Sequence, residues 1–116
     1  MKILIIEDDL PLAAVLSRRL TKYNHRCRHA VNGTDGLTEC RDFSPEIILL
    51  DMKLEDDSGL KYIALLRNIA INARIILMTG YASIATAVEA IKLGADEYLA
   101  KPVDSCLLYT SDAADE

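Results

Sequence analysis

Three carboxylates of this sequence directly follow runs of large apolar residues. Glu7 and Asp8 follow the run KILII, and Asp51 ends the string IILLD. Asp51 has no turn signal around it, whereas Asp8 and Asp9 are, taken singly, more simply explained as turn residues or helix caps. If the fold brings Glu7, Asp8 and Asp51 together, they repel one another unless a cation or a proton lies between them. These three residues are therefore candidates for a metal site.

A hydroxyl, an ammonium and an aromatic ring stand at comparable places later in the chain. Thr79 follows an apolar run at 73–78, Lys101 follows a run at 96–100, and Tyr98 lies within that second run. Each has an ordinary explanation on its own: Thr79 starts a loop, Lys101 is a surface lysine, and Tyr98 is a half-buried sheet aromatic. The shared position of Thr79 and Lys101 at the ends of apolar runs indicates a common site.

The apolar runs themselves predict the fold class. Five short segments of large apolar and β-branched residues alternate with four helical patterns. The segments are residues 2–6, 26–31, 46–50, 73–78 and 96–100, and the helices begin near positions 9, 33, 59 and 84. In the fourth helix we expect Ile84, Val88 and Ile91 to form the inner face. The pattern predicts a doubly wound α/β domain with a five-stranded parallel sheet, which binds ligands beyond the carboxyl ends of its strands.

Together the candidate side chains predict a site for a phosphoryl group. Mg²⁺ takes oxygen ligands, so the three carboxylates suit it, and the main-chain carbonyl of Lys53 follows Asp51 closely enough to be a further ligand. The hydroxyl of Thr79 and the ammonium of Lys101 would then face the oxygens of a transferring phosphoryl group. Since carboxylates form aspartyl-phosphates, Asp51 is the expected nucleophile.

The sequence resembles the receiver domain of bacterial two-component response regulators, over residues 2 to about 105. The matching strings are ILIIEDD, PEIILLDMKLEDDSG, ILMTGY and GADEYLAKP. The resemblance implies a CheY-like, flavodoxin-like sheet with strand order 2-1-3-4-5. It also implies a Mg²⁺-dependent signalling phosphoacceptor that is not a metabolic enzyme and catalyses only its own phosphotransfer and dephosphorylation.

The same resemblance implies a role for each candidate residue. Asp51 is the implied phosphoacceptor. The implied metal ligands are Glu7, Asp8, Asp51 and the backbone carbonyl of Lys53. The implied phosphoryl-binding groups are Thr79 and Lys101, the implied switch residues are Thr79 and Tyr98, and Gly59 matches the glycine eight residues beyond the phosphoacceptor.

Partners also follow from the resemblance. A sensor histidine kinase would donate the phosphoryl group, and its transfer would change the surface formed by the fourth helix and the fifth strand. The run TGYASIATAVEAIKLGADEYLAKP is most similar to the redox-responding photosynthesis-regulator group, whose members carry a Fis-type helix-turn-helix effector. We therefore expect transcription regulation by an effector domain outside this segment, with a phosphorylation-dependent homodimer of the full-length protein.

Bulk composition limits where such a domain works and what it binds. A chain of 116 residues has the size of one domain. No apolar run is long enough for a membrane span or a signal peptide, so we expect a cytoplasmic protein without membrane contact. Thirteen basic against eighteen acidic residues give a net charge of −5, which argues against direct nucleic-acid binding by this segment.

Two other protein classes share parts of this pattern. A haloacid-dehalogenase-like phosphatase also uses an aspartate nucleophile, a threonine or serine, a lysine and Mg²⁺. In that class, however, a second aspartate follows the nucleophile by two residues, where this chain has Lys53. A flavodoxin-like module for a nucleotide or flavin needs a glycine-rich phosphate loop after the first strand, where carboxylates stand instead. The receiver interpretation fits the sequence best.

The last eleven residues, CLLYTSDAADE, do not suit the amphipathic fifth helix that a receiver needs. Leu107, Leu108 and Tyr109 are followed by small and acidic residues alone. The string looks like the translation of a transposase-type sequencing adapter. We therefore expect a receiver domain over residues 1–105, with its fifth helix missing or truncated, and a non-native tail over residues 106–116.

Overall fold

The structure is a computed structural model that describes residues 1–54, 58–80 and 83–101. Its strands and helices alternate along the chain: β1 (Lys2–Ile6), α1 (Leu10–Lys22), β2 (Arg26–Ala30), α2 (Gly33–Phe43), β3 (Ile47–Asp51), α3 (Leu60–Ile69), β4 (Arg74–Thr79), α4 (Ile84–Leu93) and β5 (Glu97–Ala100). All neighbouring strands are parallel, in the order β2-β1-β3-β4-β5. The predicted doubly wound sheet and its strand order are confirmed.

The three central strands are buried on both faces of the sheet. Residues 3–6, 47–50 and 75–78 are at most 5 % exposed, which explains why their apolar runs are continuous and do not alternate with polar residues. Alternate side chains serve two cores, one against Leu16 of α1 and the other against Ile63 of α3. This burial makes the central strands a rigid base for whatever their carboxyl ends carry.

Local sequence sets the start of α1 and the end of α4. The Asp9 side chain caps α1 by accepting the Leu12 N–H at 3.1 Å, and Pro11 lies in the first turn. Gly94 ends α4 with a φ of 119°, a left-handed conformation that costs glycine little. Asp9 is therefore explained by capping and leaves Glu7 and Asp8 as the acidic pair.

The predicted inner face of α4 is wrong. Ile84, Val88 and Ile91 are 85 %, 48 % and 50 % exposed, whereas Ala90 is fully buried against the sheet. Nearly every residue of this helix is apolar or small, so hydrophobicity alone does not identify one face. The small Ala90 lets the helix approach the sheet closely, and the larger side chains point away.

Arg67, in the last turn of α3, ties together the amino-terminal edge of the sheet. One of its terminal nitrogens contacts the carbonyls of Ala70, Ile71 and Ala73, at 3.4, 3.0 and 2.6 Å. Its other two nitrogens donate to the Gly94 carbonyl at 3.2 and 2.8 Å.

Asp96 completes this arrangement just before β5. Its Oδ2 pairs with Arg67 at 2.6 Å and accepts the N–H of Ile75, in β4, at 2.9 Å. The guanidinium thus donates to carbonyls that follow α3 and to the carbonyl of the residue that caps α4. We call Arg67 with Asp96 and the carbonyls they hold the arginine clasp.

The expectations about the carboxyl terminus lie outside the described residues. They are the truncated fifth helix, the domain end at residue 105 and the non-native tail over 106–116, and they remain predictions. In the part of the chain that the structure describes, no helix combines the length and apolar character required to cross a bilayer.

Candidate functional site

The candidate residues lie at the carboxyl-terminal edge of the sheet. Glu7 directly follows β1, Asp51 and Thr79 are the last residues of β3 and β4, and Lys101 directly follows β5. The strand pairs Ile6↔Leu50, Asp51↔Met78 and Thr79↔Ala100 bring these ends side by side. The expectation that they meet at one edge is confirmed.

Three carboxylates converge at this edge. One oxygen from each of Glu7, Asp8 and Asp51 lies within 4.8 Å of the others. Glu7 is 0 % and Asp51 3 % exposed, and Asp8 is half-buried. Ionised carboxylates that are this close and this well buried destabilise the fold unless positive charge accompanies them.

Lys101 supplies part of that charge. Its Nζ lies 2.9 Å from Oε1 of Glu7 and 2.9 Å from Oδ1 of Asp51. The Lys101 N–H also donates to the Thr79 carbonyl at 2.6 Å, which continues the pairing of β5 with β4 and fixes where the side chain begins. The lysine therefore orients Asp51 and Glu7, but one ammonium cannot neutralise three carboxylates.

The pKa values express this shortage of positive charge. Burial raises the pKa of Glu7 to about 7; Lys101 and the Asp9 N–H lower it less than burial raises it, and the charge of Asp51 raises it further. Burial acts to lower the pKa of Lys101, but its contacts with Glu7 and Asp51 outweigh burial, and the net pKa is raised. The lysine is thus cationic at neutral pH, whereas Glu7 is easily protonated.

The donor set fits a hard divalent cation. Oε2 of Glu7 accepts the Asp9 N–H at 3.1 Å. The buried Oε1 meets no donor with hydrogen-bond geometry among the described residues, although Lys101 Nζ lies 2.9 Å from it. Oε1 of Glu7 and the two neighbouring carboxylates are therefore suitable ligands for Mg²⁺ or Ca²⁺. Both ions bind oxygen in preference to nitrogen or sulfur.

Gly59 keeps the loop after β3 against the site. Its N–H donates to the Met52 carbonyl, and Lys53 forms an isolated bridge with Ser58. A Cβ at position 59 would lie 2.1 Å from the main-chain oxygen of Asp51. Only glycine allows this approach, so a larger residue would displace the chain that carries Asp51.

Three further candidate residues are Lys53, Thr79 and Tyr98, and their roles remain predictions. Lys53 is exposed, and its carbonyl as a metal ligand remains a prediction. Thr79 is buried at the end of β4. Tyr98 is half-buried on β5, and its hydroxyl accepts the N–H of Ser83, the cap of α4, at 3.4 Å.

Sequence reasoning missed His29. This residue lies on β2, and its Nε2 is 2.6 Å from the main-chain oxygen of Glu7. The contact joins residues 22 positions apart, and a histidine in an edge strand carries no sequence signal that would indicate it.

Known proteins are similar in sequence to this chain over most of its length. A family model of the response regulator receiver domain matches residues 3–111, past the predicted domain end at 105. RegA of Rhodobacter capsulatus, a photosynthetic apparatus regulatory protein, is 36% identical over 103 residues, which make up 89% of this chain and 56% of RegA. The acid tolerance regulatory protein ActR of Rhizobium meliloti is 37% identical over 103 residues, 89% of this chain and 53% of ActR. The chain spans about half the length of these relatives.

Solved structures share the fold. A response regulator from Burkholderia pseudomallei, crystallised with a phosphorylated aspartic acid, calcium ion and citrate, is 41% identical with a TM-score of 0.91, over 94% of this chain and 64% of that one. A two-component response regulator from Clostridium difficile is 26% identical with a TM-score of 0.92, over 98% and 93%. With its sheet order and its cluster of acidic residues, the chain belongs to the receiver domains of two-component response regulators.

Proposed function

We propose that Asp51 accepts a phosphoryl group from a sensor histidine kinase. The observation that carries this proposal is a buried aspartate 2.9 Å from an ammonium and within 4.8 Å of two further carboxylates. The related Burkholderia pseudomallei protein, whose structure holds a phosphorylated aspartic acid and a calcium ion, supports the same chemistry here.

Asp51 acts as the nucleophile. Lys101 orients its carboxylate through the contact with Oδ1, and an Asp51 oxygen attacks phosphorus in line with the bond to the donor imidazole. The new P–O bond forms as the P–N bond breaks, and the imidazole nitrogen keeps the electron pair and takes up a proton. The Asp51 side chain is 5 % exposed, which limits the access of water to the resulting acyl phosphate.

Glu7, Asp8 and Asp51, with the backbone carbonyl of Lys53, are the proposed ligands of Mg²⁺. When bound, Mg²⁺ supplies positive charge beside the phosphoryl oxygens. The support in this chain is the convergence of the carboxylates and the buried Oε1 of Glu7, which meets no donor with hydrogen-bond geometry among the described residues. Lys101 remains necessary for charge balance, because its ammonium contacts the carboxylates of Glu7 and Asp51 directly.

Thr79 and Lys101 are the proposed phosphoryl-binding groups, and Thr79 and Tyr98 the proposed switch. Thr79 is buried at the end of β4, and β4 pairs with β3, which ends at Asp51. When its hydroxyl moves toward the phosphoryl group, it vacates space for the ring of Tyr98 on the adjacent strand. The tyrosine hydroxyl then leaves the N–H of Ser83, and the α4–β5 surface changes by a shift of population.

The changed surface controls an attached effector. Regulatory relatives such as RegA and ActR are about twice as long as the matched segment, which supports a further domain in the full-length protein. We propose that this domain is a helix-turn-helix module that regulates transcription in the cytoplasm, and that phosphorylation promotes a homodimer. The net charge of −5 argues against direct DNA contact by the receiver itself.

Phosphorylation of Asp51 can be tested with acetyl phosphate and intact-mass measurement. The chain should gain one phosphoryl group with Mg²⁺ and none in excess chelator. Asp51→Asn should not be labelled, whereas Asp35→Asn, which removes an exposed acid of α2, should be labelled like the parent. Equal labelling of Asp51→Asn, or labelling with chelator present, would refute the proposal.

A further inference from the structure

The main chain leaves β1 at the point where the parallel pairing with β2 stops. The last paired residues are Ile6 and Ala30, and the Glu7 N–H still donates to the Ala30 carbonyl at 3.0 Å. The Glu7 carbonyl is the first acceptor beyond that register. It contacts the ring of His29, with Nε2 at 2.6 Å.

The direction of this hydrogen bond is fixed by chemistry. A carbonyl oxygen can only accept, so Nε2 of His29 must carry the hydrogen and donate it to Glu7. Both the neutral ring protonated at Nε2 and the imidazolium meet this requirement. The bond therefore replaces the ladder hydrogen bond that the end of β2 no longer supplies.

The bond lies where a small backbone rotation would matter most. The Glu7 carbonyl belongs to the peptide that leads into Asp8, and Asp8 is the least buried of the three clustered carboxylates. The Glu7 side chain is already held on two sides, since Oε2 accepts the Asp9 N–H and Oε1 lies beside Lys101. The direction in which the chain presents Asp8 is held by the Glu7 peptide, and hence by His29.

We infer that His29 is a positioning residue for the divalent cation, because it fixes the backbone that aims Asp8 at the site shared with Glu7 and Asp51. The inference rests on the proposed function, since it concerns the cation of that site. His29 is not among the residues whose ligand atoms converge at the site, and it acts through the Glu7 carbonyl that its Nε2 contacts. Groups that orient metal ligands typically change metal affinity 10- to 100-fold when they are removed.

The test is Mg²⁺ titration of the full chain by isothermal titration calorimetry. His29→Leu and His29→Phe remove the donor, and His29→Gln keeps an N–H at a similar reach. His25→Leu is the matched control, because the chain has two histidines and His25 lies before β2, at its other end, 3.3 Å from the terminal amine. We expect roughly tenfold weaker Mg²⁺ binding for the two donorless variants, and binding within threefold of the parent for His29→Gln and His25→Leu.

A second readout separates positioning from simple loss of stability. In acetyl phosphate labelling, the Mg²⁺ concentration for half-maximal rate should rise about tenfold in His29→Leu, while the rate at saturating Mg²⁺ changes less than twofold. Mg²⁺ affinity of both donorless variants within twofold of the parent would overturn the inference, as would equally weak binding by His29→Gln. A parent chain that neither binds Mg²⁺ nor is labelled would refute the proposed function instead.

Discussion

The two edges of the sheet differ in how completely their charged groups are matched. At the amino-terminal edge, the arginine clasp matches one guanidinium with one carboxylate and the carbonyls of four residues. At the carboxyl-terminal edge, three carboxylates converge on Lys101, and a buried oxygen of Glu7 lacks a hydrogen-bond donor among the described residues. One edge satisfies its polar groups, and the other leaves a deficit of positive charge.

This difference indicates what each edge contributes. Satisfied hydrogen bonds stabilise the fold, because each removes the cost of a buried polar group without a partner. An excess of buried carboxylates lowers the stability of the metal-free chain, but it creates affinity for a cation and a reactive aspartate. The clasp thus contributes stability away from the candidate site, and the destabilising charges lie where binding of a cation can relieve them.

The largest effect is expected from breaking the clasp. Arg67→Met keeps much of the side-chain bulk but removes the guanidinium that donates to the carbonyls of the clasp, and should lower the free energy of unfolding by about 3 kcal/mol. Arg28→Met is the matched control, since Arg28 pairs with Glu39 at the surface and should cost less than about 1 kcal/mol.

Urea denaturation in the presence of chelator, monitored by circular dichroism, measures both losses of stability. Mg²⁺ affinity of folded Arg67→Met should stay within twofold of the parent, because the clasp is at the opposite edge from the carboxylates. Equal destabilisation by Arg67→Met and Arg28→Met would show that the clasp adds nothing beyond a surface ion pair.

The sequence predicted one edge far better than the other. Asp51, Thr79 and Lys101 could be assigned to one site because a strand ends at or just before each, and parallel strands end at a common edge. The clasp had no such signal, because Arg67 acts through carbonyls that every residue possesses. Its partners become visible only when the ends of α3 and α4 are placed in space.

The same limit explains the two other differences from expectation. His29 reaches a main-chain oxygen across neighbouring strands, and no periodicity records such a contact. Hydrophobicity favours large side chains for the inner face of α4, but the small Ala90 is the residue that packs in the core. Site residues at strand ends follow from pattern, whereas positioning residues and close packing depend on three-dimensional contacts.

An intermediate effect should appear as a pH dependence of the metal-free chain. The pKa of Glu7 is raised from 4.5 to about 7 in the folded state, mainly by burial. Folding therefore favours the protonated carboxyl. The associated stability is fully present below about pH 4.5 and is lost as the pH rises through about 7, a decrease on the order of 2 kcal/mol.

Urea denaturation at several pH values between 4.5 and 8 would measure this loss. Glu7→Gln should lose less stability than the parent across the window, because its amide does not titrate, and the difference between the two chains isolates Glu7 from other groups. Saturating Mg²⁺ should also flatten the dependence in the parent alone. Parallel pH profiles for the parent and Glu7→Gln would contradict the charge deficit at this edge.

The smallest effect is expected at Asp8, where solvent screens part of the repulsion. Asp8→Asn removes one negative charge from the cluster while keeping the shape of the side chain, so the metal-free chain should gain about 0.5 kcal/mol of stability. In excess Mg²⁺ the order should reverse, because the parent is stabilised by a cation that the variant binds weakly. Thermal melts with chelator and with Mg²⁺ measure both differences.

Glu89→Gln makes the same charge change at an exposed position of α4 and should alter neither melt appreciably. If Asp8→Asn melts below the parent in chelator, then Asp8 stabilises the metal-free fold, and the carboxyl edge does not carry the repulsion that distinguishes it from the clasp.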